Sequence, residues 1–198
     1  EWIDALHQEE LAATAGFTHA RRAEFATGRS SLRSLLQDQT DGDMPLLIGE
    51  RRAPILPSGL HASISHCDTF VATVASGSDH FRGLGVDIEL LDRVTPDLVD
   101  ILLSRSEKSD LQAGRNTLSL ACYFSAKEAA FKAIHGLIGK YIDFLDLALV
   151  FSRDHFEAKP LFYHPALETI SIEGRFVECG LHVLSIAWTR PSRASVET

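Results

Sequence analysis

The chain has 198 residues, of which 45% are hydrophobic and 23% charged, and its formal net charge is −8. That length suits one globular domain or two half-size lobes sharing a core, and the composition excludes a disordered chain. No stretch approaches the roughly 18 to 20 consecutive apolar residues of a membrane helix. The opening Glu1-Trp2-Ile3-Asp4 lacks the basic-then-apolar pattern of a signal peptide. The acidic balance argues against a general nucleic-acid binder but leaves a local phosphate site open.

Residues 1–10 carry four acids and no lysine or arginine, whereas 21–36 carry four arginines and one glutamate. The second stretch, Arg21 to Leu36, reads as an amphipathic helix with Phe25, Gly28, Leu32, Leu35 and Leu36 on one side. Arg22, Arg29 and Arg33 fall in a narrow stripe beside that face, and Arg21 projects closer to the apolar side. A loop rich in Asp and Gly spans Asp38 to Pro45. Leu46-Leu47-Ile48 follows, then a segment punctuated by Pro54, Pro57 and Gly59 next to Arg51 and Arg52. His61 to His66, Phe70 to Ala75 and Leu84 to Leu90 are predicted strands. Residues 96–114 are predicted as one helix, with Thr95 as N-cap and Pro96 at its first position. Leu118 to Leu137 is a longer helix ended by Gly136 and Gly139. Strands at Leu147 to Phe151, Thr169 to Ile172 and His182 to Trp188 follow, and Thr189 to Thr198 reads as a polar, frayed tail. Helix-then-strands thus occurs twice. An α+β fold of two similar lobes, 1–95 and 96–198, is expected.

The three cysteines, Cys67, Cys122 and Cys179, form no C-x-x-C pair, so buried thiols in a reducing cytoplasm are expected rather than a zinc or disulfide framework. The nine histidines show no metalloprotease spacing.

Three constellations are candidates to carry chemistry. In Gly85-Val86-Asp87-Ile88-Glu89 the two carboxylates share one face of a strand. They repel unless a positive group lies near, and hard cations such as Mg²⁺ favour such oxygens, with substrate phosphates completing the shell. A half-exposed strand with an acidic outer face would read the same way. In Phe124-Ser125-Ala126-Lys127-Glu128-Ala129-Ala130-Phe131-Lys132-Ala133, Glu128 and Lys132 stand at i and i+4, the spacing of an ordinary surface ion pair. The alanines, however, make a slim helix that can approach other backbone closely. Ser65 and His66, in Ser63-Ile64-Ser65-His66-Cys67, could meet a phosphate or merely occupy a strand edge. The chain has no G-x-S-x-G elbow, and Gly136 to Lys140 lacks the Walker spacing.

Taken in order, Arg21-Arg22-Ala23-Glu24-Phe25-Ala26-Thr27-Gly28-Arg29, Pro54-x-x-Pro57-x-Gly59, Ser63 to Cys67, Gly85 to Glu89 and Phe124 to Ala133 resemble the 4′-phosphopantetheinyl transferases. The likeness is to their monomeric two-lobed branch, typified by the enterobactin-synthase activating component and Sfp-type enzymes. It runs from about residue 18 to about residue 150 and includes Asp143-Phe144-Leu145-Asp146.

The resemblance implies an α+β fold with two lobes related by pseudo-two-fold symmetry. It also implies transfer of 4′-phosphopantetheine from coenzyme A to a serine of an apo acyl or peptidyl carrier protein, releasing adenosine 3′,5′-bisphosphate. Asp87, Glu89 and Glu128 would hold Mg²⁺, and Glu128 would also accept the serine proton. Lys132 would stabilise phosphate charge, and Lys127 would be a further phosphate contact. Arg21, Arg29, Ser65 and His66, with Arg51 or Arg52 nearby, would grip coenzyme A at its nucleotide end. The helical wheel makes Arg22 the companion of Arg29, the family pattern Arg21; both stay open. A cytoplasmic monomer of siderophore or other secondary metabolism, with no nucleic-acid or membrane partner, is expected. Two other readings compete: a non-catalytic coenzyme A or carrier-protein binding module on the same fold, and an unrelated acidic α+β interaction domain.

Overall fold

The computed structural model describes residues 2–40, 43–68, 70–77 and 81–192, without the Arg51 side chain. Part of the expected loop at 38–45 and the tail from 193 lie outside the described residues.

Helix α1 (Gln8–Ala13) leads into α2 (His19–Leu36), the predicted arginine-bearing helix, which opens where Thr18 Oγ1 accepts the Arg21 backbone N–H. Strands β1 (Leu60–Cys67) and β2 (Phe70–Gly77) form an antiparallel pair against α2. The helix sits close, with Gly28 facing Ile64 and the Ser31 and Thr73 hydroxyls bonded at 2.9 Å. Leu32, Leu36 and Leu46 make the small core of this half.

Strand β3 (Gly83–Leu90) leaves that pair and runs antiparallel to the last strand of the chain, placing Asp87 opposite Ser185. Both its faces are buried through Ile88, which removes the alternative of a half-exposed acidic strand. The helix expected over 96–114 is broken. A 3₁₀ turn, Pro96–Leu98, runs into α3 (Val99–Leu102); Leu103 is extended, and α4 (Arg105–Gln112) starts anew. The break comes from Ser104, whose hydroxyl accepts the Glu107 N–H in a capping box, while Thr95 bonds the Asp97 carboxylate and caps no backbone N–H.

Helix α5 (Leu120–Ile138) is capped by Ser119 and ends at Gly139, whose φ of 61° suits glycine; Gly136 lies inside the helix. Strands β4 (Leu147–Ser152), β5 (His155–Pro160), β6 (Ile170–Cys179) and β7 (His182–Pro191) complete an antiparallel sheet in the order β3-β7-β6-β5-β4. The main core lies between this sheet and α5. Two strand expectations change. β5 was not foreseen, because only Phe156 and Ala158 of its six residues are buried among polar neighbours. Thr189 to Pro191, expected to fray, instead pair with Ile172 to Ile170. Cys67 and Cys122 are buried as expected, but Cys179, near the end of β6, is exposed.

The halves share a plan despite their unequal sheets. Each has a fully buried glutamate at the third position of a capping box, Glu10 in α1 and Glu107 in α4. Glu10 accepts from Arg33 of α2 at 2.6 Å, from the Leu46 N–H at 2.8 Å and from the His7 N–H at 2.9 Å. Glu107 accepts from Lys127 of α5 at 2.8 Å, from the Leu149 N–H at 2.8 Å and from the Ser104 N–H at 2.6 Å. In both, a buried acid ties a short helix to the long helix and to the segment after it. Both carboxylate oxygens find donors in each case, which a buried carboxylate requires.

Candidate active site

The halves meet at β1 and β3. The Val86 N–H donates to Ser63 Oγ at 3.1 Å, and Ser65 Oγ donates to Asp87 Oδ1 at 2.8 Å. Over this seam opens a cavity of about 800 Å³. One wall is α2 with Arg21, Glu24, Phe25 and Arg29; the floor includes Ser65 and His66; the other wall is α5 with Glu128, Phe131 and Lys132.

The slim alanine face predicted for α5 is what brings it here. Gly83 and Gly85 of β3 pack directly on the Ala133 and Ala129 carbonyls, where any Cβ would overlap. Lys132 therefore reaches across the seam, donating to Asp87 Oδ1 at 2.8 Å, the Val86 carbonyl at 3.1 Å and Ser65 Oγ at 3.2 Å. Glu128 lines the cavity one turn away. Burial raises its carboxyl above the usual range; Lys132 opposes the shift and the charges of Asp87 and Glu89 add to it. Glu89 is raised as well, by burial and then by Asp87, with Arg93 opposing.

On the opposite wall Arg29 is buried, and desolvation lowers its pKa to about 10, against the pull of Glu10. Its guanidinium lies 4.7 Å from the Phe25 ring centroid, and its Nε has no partner among the described residues. Arg21 faces the cavity, whereas Arg22 turns away to the Thr14 carbonyl at 3.2 Å. Arg52 lines the mouth from a left-handed backbone, φ 68°.

Two family models match in succession: the 4′-phosphopantetheinyl transferase N-terminal domain over residues 7–76, and the 4′-phosphopantetheinyl transferase superfamily over 83–176. The chain belongs to the 4′-phosphopantetheinyl transferase superfamily. It is 31% identical over 207 residues to 4′-phosphopantetheinyl transferase Svp of Streptomyces mobaraensis, covering 99% of this chain and 84% of that one. It is 29% identical to 4′-phosphopantetheinyl transferase PptT of Mycobacterium tuberculosis, over 74% of this chain and 65% of that protein. Enterobactin synthase component D of Salmonella typhimurium is 33% identical over 57% of this chain and 48% of its own length. The chain thus spans about two thirds of the Mycobacterium relative and about half of the Salmonella one.

In this transferase-family chain, Arg21, Arg29, Arg52, Ser65, His66, Glu128 and Lys132 line one cavity, and Asp87 lies just behind Lys132 and Ser65. Glu89 stands beside Arg93 and Cys67. The Arg51 side chain is outside the described residues. Lys127 is a correction. Expected at a phosphate, it is fully buried and donates to Glu107, the Leu102 carbonyl at 2.7 Å and the Phe144 carbonyl at 2.9 Å. It lies next to Glu128 in sequence, so the helix turns it about 100° away, into the lobe interior. Among the described residues no three His, Cys, Asp or Glu side chains are gathered as a ready metal cluster.

Sequence reasoning gave no role to Glu10, Glu24, Glu107 or Arg82, although Arg82 and Glu24 also line the cavity. For Glu107 a signal existed, the Ser104-x-x-Glu107 capping box. Glu10 had none, since His7 is not a usual N-cap.

Proposed function

We propose that the chain transfers the 4′-phosphopantetheine group of coenzyme A to a serine hydroxyl of an apo acyl or peptidyl carrier protein and releases adenosine 3′,5′-bisphosphate. The observation that carries this reading is the pairing of a proton acceptor, Glu128, with a fixed cation, Lys132, beside Asp87 in an arginine-lined cavity. Family membership supports the reaction class. One half ending with β2 and a second beginning with β3, earlier than the boundary expected after residue 95, flank this one cleft.

Arg21, Arg29, Arg52 and His66 take the nucleotide end, where guanidinium forks suit the 3′-phosphate. The unpartnered Nε of buried Arg29 supports this, since a buried donor calls for an acceptor. Ser65 orients Lys132.

The carboxylates are not gathered as a ready cluster, but their chemistry suits a divalent cation. Among the described residues Asp87 Oδ2 is buried without a partner, and Glu128 and Glu89 both feel the charge of Asp87. Asp87, Glu89 and Glu128 would hold Mg²⁺, which when bound neutralises charge on the pyrophosphate oxygens. Glu128, raised by burial, takes the proton of the attacking serine hydroxyl. Lys132 meets the negative charge that grows on the departing bisphosphate.

The reading places the protein in the cytoplasm as a monomer, with free Cys67, Cys122 and Cys179 suited to a reducing compartment. Its carrier belongs to siderophore or other secondary metabolism, on the strength of the enterobactin synthase relative. Among the described residues no helix is long and apolar enough to cross a membrane.

The test is to incubate the chain with coenzyme A, Mg²⁺ and apo carrier proteins and weigh each carrier. A gain of one phosphopantetheine is expected. A chain that bound coenzyme A yet left several carriers unmodified would be a binding module instead.

A further inference from the structure

We propose that Glu24 is a positioning residue that makes the cavity discriminate a 3′-phosphorylated nucleotide from an unphosphorylated one. This rests on the reading that the nucleotide end of coenzyme A lies against Arg21 and His66.

Glu24 follows Arg21 by three residues on α2, and its carboxylate does more than close a helical ion pair. Its Oε2 accepts from Arg21 Nη1 at 2.9 Å and stands 3.7 Å from Nδ1 of His66, on β1. Arg21 Nη1 in turn meets His66 Nε2. The three side chains close a triangle between a helix and a strand, each about one third exposed and each lining the cavity. A lone exposed pair would be worth little. A third member from another element changes that, because it removes the freedom of both long side chains at once.

The triangle has two chemical consequences. Arg21's two hydrogen bonds among the described residues both run through Nη1, so its Nε and Nη2 remain to donate to an anion. The His66 nitrogen that receives Arg21's N–H must be unprotonated, so the ring carries its proton on Nδ1, the side nearer Glu24. Burial, and then Arg21, lower the pKa of His66, in keeping with a neutral ring. Glu24 thus fixes the guanidinium edge and the ring orientation before any ligand arrives. A phosphate that lands there pays no ordering cost for them. Repulsion of the incoming dianion would be the opposite role for a carboxylate so placed, and the two roles shift affinity in opposite directions.

The test is calorimetric titration of the whole chain with coenzyme A and with dephospho-coenzyme A, for the wild type, Glu24→Ala and Glu24→Gln. Glu24 is one third exposed, so its truncation leaves no buried void. Glu24→Ala is expected to weaken coenzyme A by about tenfold and to leave dephospho-coenzyme A unchanged. Glu24→Gln, whose amide oxygen still accepts from Arg21, should recover most of the loss. An unchanged ratio in Glu24→Ala, or tighter coenzyme A binding, overturns the proposal. A wild type that does not favour coenzyme A over its dephospho form would instead remove the underlying placement of the nucleotide.

Discussion

Lys132 Nζ lies 2.8 Å from Asp87 Oδ1, and its other two bonds go to the Val86 carbonyl and Ser65 Oγ. A flexible ammonium with its three donors directed in this way is a fixed point charge. Lys132→Met should therefore cost catalysis far more than binding. We expect kcat to fall by about 10²- to 10³-fold, the scale of losing one preorganised charge stabiliser, with a much smaller loss in coenzyme A affinity. Single-turnover transfer set against calorimetric affinity separates the two. Wild-type kcat in the variant would remove Lys132 from the chemistry.

The raised Glu128 carboxyl sets a pH signature. In the metal-free protein this carboxyl keeps its proton to a higher pH than an ordinary glutamate, so Mg²⁺ binding, and kcat/KM with it at limiting Mg²⁺, should weaken as pH drops through the elevated pKa. Glu128→Gln should abolish transfer without harming the fold. The sign for stability is opposite to that of a paired acid: holding this group charged when folded costs stability at pH above its folded pKa, and the cost vanishes below its unfolded value. Glu128→Gln should thus be as stable as wild type or more so at neutral pH, and lose any advantage in acid. Urea denaturation at two pH values reads this, and a variant that kept full transfer rate would refute the assignment.

Much of this was legible in the sequence because local physics decided it. Gly139 after the long helix and the alternation of β3 each act within a few residues. That α5 could approach other backbone closely was readable too, because its alanines are a feature of composition; that it meets β3 at Gly83 and Gly85, and so brings Lys132 to Asp87, was not. What failed depended on partners far along the chain. Lys127 and Lys132 are alike as residues, and what receives Lys127 inside the lobe, Glu107 20 residues earlier and the Leu102 and Phe144 carbonyls, lies far along the chain. Strand β5 has too few apolar residues to announce itself and is held by its neighbours on either side. Arg21 rather than Arg22 faces the cavity because Thr14, ahead of the helix, captures Arg22.

Lys127 and Glu107 make the next prediction. Both side chains are fully buried, and burial lowers the lysine's pKa while Glu107 opposes the shift. Removing one partner strands the other's charge, so Lys127→Met should destabilise by about 3–5 kcal/mol in urea denaturation. Coenzyme A affinity, measured under conditions where the variant is folded, should be unchanged. The milder Glu107→Gln should do the same to a lesser degree. A large loss of affinity with little loss of stability would put Lys127 back at a phosphate.

Gly85 and Gly136 form a pair with opposite expected signs. A Cβ at Gly85 would overlap the Ala129 carbonyl oxygen and sit 2.8 Å from the Ala133 nitrogen, both backbone atoms of α5 that no rotamer change can move. Gly85→Ala must push α5 off β3, at a cost of about 3 kcal/mol or more. The same displacement separates Lys132 from Asp87, so residual folded protein should transfer slowly even when stability is restored by low temperature. Gly136 lies inside α5 with nothing within 4 Å of the added carbon. Gly136→Ala should stabilise by about 0.5–1 kcal/mol, by restricting the unfolded chain and favouring the helix. Denaturation midpoints of the two variants should move in opposite directions. A shift of both the same way would mean that the contact between α5 and β3 is not set by glycine at position 85.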